Sequence, residues 1–170
     1  MSWGKYNHAG VEYDLSHLSP FTVAVTPKSE GAPTYKVLVS FGHHTFSRDW
    51  ADGDPRELQV VVGREAPRCV CPARVDLSKN LPGIVAGSSS GRAYFSEGRN
   101  FLFVENLAGL NGPYAVFFNM ERGRSKGIDA TMFVVSAYEK PALPQRLPAI
   151  TFATLVSKTV AGQRVTRPKK

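Results

Sequence analysis

Two adjacent histidines, His43 and His44, stand where an alternating apolar run gives way to Thr45, Ser47 and Arg48. Histidine titrates near neutrality, so either ring can take or give a proton, and phosphodiester transfer is one reaction that uses such a group. An arginine beside it would stabilise the anionic transition state electrostatically. The plain alternative is a loop histidine that only bonds backbone. The acidic pair Asp52-Gly53-Asp54 runs into Pro55 and reads as a turn. No acidic cluster suggests a two-metal nuclease, so cleavage here is expected to need neither metal nor cofactor.

A second constellation is basic and aromatic. Arg92, Tyr94, Ser96, Arg99 and Asn100 fall on one expected hairpin. Arg122, Arg124 and Lys126 fall on the next loop, and Tyr138 and Lys140 at the strand end after it. Adjacent hairpins of one sheet would gather these groups on one concave face. There the cations hold phosphate and the tyrosines stack on bases, as in single-strand binders. Alternation leaves the faces of Tyr94 and Tyr138 undecided, and half-core tyrosines with a solvated cationic rim are the alternative. The net charge of +7, from 21 Lys+Arg against 14 Asp+Glu, favours a polyanionic partner, RNA rather than DNA.

A third candidate is Cys69-Val70-Cys71 with His43 or His44, since two thiolates and an imidazole are zinc ligands. The Cys-x-Cys spacing is shorter than fingers favour. On a strand the two thiols share a face and serve equally as small core residues, so no metal is the first expectation. Nor are these two cysteines placed for a mutual disulfide. The glycines at 83, 87 and 91 make no phosphate-binding loop, and the serines at 88–90 sit in no nucleophile elbow.

The elements that must position these residues follow from periodicity. The runs 114–120 and 128–137 are rich in Val, Phe, Tyr and Met, flank a Gly-rich cationic turn, and are apolar on both faces, as central strands are. Tyr114, Val116, Phe118 and Met120 point one way; Ile128, Ala130, Met132 and Val134 oppose Phe133, Val135 and Ala137. Runs 21–26 and 35–41 make a second hairpin, and 93–96 with 100–105 a third. Short strands at 58–62 and 68–71 suggest an antiparallel meander. Leu77, Leu81, Ile84 and Val85 predict helix near residue 80, capped by Asp76 or Ser78 and interrupted at Pro82-Gly83. Thr151 caps a last helix with Phe152, Leu155, Val156 and Val160 as its apolar stripe. With 170 residues, 42% hydrophobic and 21% charged, the expectation is one folded domain over 1–162, with a basic tail at 163–170. Its class is α+β: an antiparallel sheet of six to eight strands, a short helix near residue 80 and a C-terminal helix. No apolar run reaches the ~20 residues of a spanning helix, and the start has no signal core, so a cytoplasmic protein without a membrane partner is expected.

The segments RVDLSKNLPGIV, AYFSEGRNFLFVEN, PYAVFFNMER and MFVVSAYEK resemble a group of bacterial and prophage proteins that carry heat-shock or stationary-phase labels. That likeness covers about residues 68–140 and implies no activity. A looser likeness, at the level of fold, is to ribonuclease toxins of the barnase/RelE type. It implies metal-independent RNA cleavage, and a protein partner that neutralises the toxin. His44, Arg74, Arg99, Ser96 and Tyr138 are the residue types such a site uses: His44 as acid or base, Arg74 and Arg99 on the phosphate, Tyr138 on a base. The alternatives are a non-catalytic nucleic-acid- or protein-binding module and a small zinc-stabilised protein.

Overall fold

The computed structural model describes residues 3–96 and 101–168. Polar residues make the first hairpin, β1 (Lys5–His8) with β2 (Val11–Asp14). Its turn is Ala9-Gly10, with φ of 49° and 79°, the left-handed pair that a two-residue hairpin turn requires. The apolar pattern does not reveal this hairpin because most of its residues are exposed. Strands β3 (Phe21–Val25) and β4 (Tyr35–His44) pair as expected. The meander then breaks. Strands β5 (Ser47–Asp49), β6 (Gln59–Val60) and β7 (Arg68–Val70) form a separate three-stranded sheet in the order β5-β7-β6.

Two seven-residue helices follow, α1 (Pro72–Ser78) and α2 (Leu81–Gly87). Each carries proline in its first turn, where a missing N–H costs nothing. Helix therefore starts earlier than the expected caps. Asp76 and Ser78 lie inside α1: Asp76 pairs with Lys79, and the Ser78 hydroxyl donates to the Val75 carbonyl. The remaining elements are β8 (Arg92–Phe95), β9 (Phe101–Glu105), β10 (Tyr114–Arg122), β11 (Ala130–Glu139), β12 (Ala149–Thr151) and α3 (Phe152–Val160). The Thr151 hydroxyl accepts from the Thr154 N–H at 3.2 Å, the predicted cap.

The result is the expected α+β class. Seven strands lie in the order β12-β8-β9-β10-β11-β4-β3, with the β10–β11 hairpin central. One pair departs from antiparallel: β11 runs parallel to β4. Asp129 starts it, its carboxylate accepting from the Lys36 N–H at 2.7 Å and its own N–H donating to the Lys36 carbonyl at 2.9 Å. The core lies between one face of the sheet and the helices. Phe103 and Phe118 (4.6 Å between centroids) meet Phe152 of α3, with Leu155 and Val156 buried beside it.

Register slips at one level. Phe117 opposes Ser136 but Phe118 opposes Val134, so β11 carries an extra residue, Val135. Phe41 opposes Val134 but His44 opposes Ser136, so β4 carries an extra residue against that same level. Bulges reverse the face of everything beyond them. Ala137, which simple alternation places with Phe133, is instead buried opposite Val116 in the core. Tyr138 is carried to the other face, opposite Ala115.

Candidate functional site

The slip in β4 builds the most concentrated group of functional side chains. Neighbours on a regular strand point to opposite faces, yet the His43 and His44 rings lie 4.5 Å apart. Gly42 lets β4 lie close against β11 at this level, since a Cβ there would meet the Phe133 ring at 2.9 Å and the Val135 carbonyl at 3.1 Å. The chain then turns back through hydrogen bonds from the Thr45 N–H to the Gly42 carbonyl and from the Phe46 N–H to the His43 carbonyl. Glu65, from the loop between β6 and β7, completes the group. Its Oε2 is 3.1 Å from His43 Nε2 and 3.7 Å from His44 Nε2. Although the first distance is within hydrogen-bond range, His43 Nε2 is buried with no aligned hydrogen-bond partner among the described residues. Burial first, and then the neighbouring His44, hold the His43 pKa below its ordinary value.

Two arginines hold this turn from behind. Arg68, itself buried, donates to the Ser47 hydroxyl and the Ser47 carbonyl, and its guanidinium also pairs with Asp49. Arg74 of α1 donates to the carbonyls of Ser47 at 2.7 Å and His44 at 3.2 Å. The Arg74 guanidinium also lies 5.9 Å from the Tyr138 ring centre. Tyr138 stacks on Phe117 at 5.4 Å, and Lys140 reaches over both rings. Three sequence-predicted side chains thus meet at one end of the sheet, Arg74, Tyr138 and Lys140, and His44 joins them through its backbone carbonyl.

Tyr94 shares the sheet face of Phe117, since both oppose Leu102. With Arg92 and Lys79 it lines a cleft of about 810 Å³. Ser96 is buried just beyond β8, and Arg99 lies outside the described residues. Arg122, Arg124 and Lys126 sit at the far end of the central hairpin, eight residues along β10 from Tyr114, or about 27 Å at the usual strand rise. There Arg122 and Arg124 face Arg164 and Arg167 across a cleft of about 1010 Å³. Among the described residues, the predicted cations therefore fall at two ends of the sheet and not together on one face.

The suggested zinc set is also divided. Cys69 is buried on β7, where desolvation raises its thiol pKa, and it bonds toward the Val70 carbonyl. Among the described residues the group with three metal-ligating atoms within 4.8 Å of one another is His43, His44 and Glu65. Sequence reasoning missed Glu65, because a glutamate in a Gly-Arg-Glu-Ala-Pro turn looks like any solvated loop residue. It missed Phe117 as a stacking partner because the bulge that carries Tyr138 onto the face of Phe117 leaves no local signal.

Residues 5–160 match the YjaZ family. The chain belongs to that family. Membership spans all the strands and helices above, and agrees with the resemblance to a bacterial protein group seen over residues 68–140. The heat-shock and stationary-phase labels, and the likeness to ribonuclease toxins, rest on resemblance alone. No curated protein matches the chain, and no solved structure does. Among the described residues, no helix is long and apolar enough to cross a membrane.

Proposed function

We propose that this YjaZ-family protein binds single-stranded RNA on the sheet face at the Tyr138 end of the central hairpin. The observation that carries the reading is the Phe117–Tyr138 stack, half-buried, with Lys140 above it and Arg74 at its edge. Flat rings accept any base, and a flexible lysine can leave them for a phosphate. Tyr94 extends the same face two strands away, and the net charge of +7 supplies long-range attraction.

Binding is favoured over cleavage by the state of the proposed catalytic groups. Nη1 of Arg74 is engaged by two carbonyls of the protein, and the His44 ring turns toward Glu65. The test is titration of a fluorescent mixed-sequence RNA in EDTA, read by anisotropy and on a gel. Tyr138→Ala is expected to weaken binding about tenfold, the loss of one stacked base, and affinity is expected to fall as salt rises. Unchanged affinity in that variant sinks the assignment. Cleavage in EDTA that disappears in His44→Ala would replace it with the nuclease.

A further inference from the structure

We propose that His43, His44 and Glu65 form a three-ligand site for a divalent transition metal ion of zinc type, distinct from the Phe117–Tyr138 stack. Three observations carry it. The first is convergence: two imidazole nitrogens and one carboxylate oxygen all lie within 4.8 Å of one another. Tetrahedral zinc with bonds near 2.0–2.1 Å sets its donors about 3.3 Å apart. The carboxylate-to-nitrogen distances of 3.1 and 3.7 Å bracket that value.

The second observation is His43 itself. Its side chain is 8% exposed, and its Nε2 has no aligned hydrogen-bond partner among the described residues, although it faces a carboxylate oxygen at 3.1 Å. A buried polar atom left unpaired is costly, and buried polar atoms are almost always satisfied. A cation between the two groups would accept the nitrogen lone pair and neutralise the carboxylate together. The third is construction. Adjacent histidines converge where β4 slips register between Phe41 and His44, and the turn that follows is pinned by Arg68 and Arg74. Bulges that re-aim side chains occur preferentially beside functional sites.

The donor set fits the chemistry. Imidazole suits zinc and its neighbours in the first transition row, and two histidines with one glutamate leave a fourth position open. All three residues line a single cavity of about 270 Å³, walled by Trp3, Val62 and Phe133, with Phe133 partly open to solvent. The Trp3 ring meets His43 edge-on, and its indole N–H donates to the Phe41 carbonyl, so the wall beside the buried ligand is fixed. A metal bound here occupies the Nε2 lone pair of His44, so the loaded protein cannot use that atom as a general base.

The experiment uses untagged full-length protein, stripped with EDTA and dialysed. It is titrated calorimetrically with zinc chloride and, separately, with cobalt chloride, whose visible spectrum reports coordination. About one equivalent of zinc per chain is expected, with cobalt bands of a four- or five-coordinate centre. His44→Ala and Glu65→Gln alter side chains that are 39% and 57% exposed, so both variants should fold, as circular dichroism will show. Each is expected to weaken zinc by roughly tenfold or more. Cys69→Ser with Cys71→Ser should leave zinc binding unchanged. Less than about a tenth of an equivalent bound, undiminished affinity in the His44→Ala/Glu65→Gln double variant, or loss of binding in the cysteine variant would each overturn the site.

Discussion

The two ends of the central hairpin carry similar residue types and use them differently. At the Tyr114–Glu139 end the arginines are consumed by the fold. Arg68 is 8% exposed, and it and Arg74 both donate to the Ser47 carbonyl at the start of β5. At the Arg122–Ala130 end the cations are bare. The Arg124 side chain is 92% exposed, with only a 3.9 Å contact to Glu121. Cations that satisfy backbone carbonyls hold the fold in place; cations in water do not. Charge counting gives both kinds equal weight, and only their hydrogen bonds separate them.

The contrast can be broken most strongly at Arg68. Arg68→Met removes the donors to the Ser47 hydroxyl and carbonyl, and is expected to lower stability by about 2 kcal/mol in urea unfolding. The Asp49 partner adds little, because its side chain is 93% exposed. A loss below roughly 0.5 kcal/mol would show that the turn holds without its clamp.

A smaller effect of opposite sign is expected at Tyr114. Its hydroxyl is buried with no partner among the described residues, and burial raises its pKa well above the usual tyrosine value. Tyr114→Phe should therefore stabilise the protein by about 1 kcal/mol. A destabilised variant would mean that a water or ligand satisfies that oxygen in solution.

The smallest change in stability belongs to the far end. Arg122→Ala with Arg124→Ala should leave the urea midpoint within about 0.5 kcal/mol of the parent. If the same variant leaves the salt dependence of RNA binding untouched, the far end lies outside the RNA contact. A shallower slope would extend the contact along the hairpin.

Much of the fold was legible because its signals are local. Alternating Val and Phe over 114–120 marked β10, and Thr151 ahead of Phe152, Leu155 and Val156 marked α3 and its cap. The interruption that Pro82 implies falls just before it, between α1 and α2, and the proline itself sits in the first turn of the second helix, where it costs nothing. The parallel pairing of β4 with β11 had no local mark, because it joins residues 93 apart through Asp129 and Lys36. Of the candidate site, His44, Tyr138, Lys140 and Arg74 were named from residue type, and their meeting could not be.

From the chain alone came what depends on neighbours a few residues away: strands, helix, turn chemistry, the excess of positive charge and the suspicion attached to His43-His44. Tertiary structure decided the rest. One extra residue in β11 put Tyr138 on the face of Phe117, and one in β4 swung His43 and His44 onto Glu65. A register slip alters no residue and leaves no pattern in a single sequence, yet it reverses the face of every side chain beyond it.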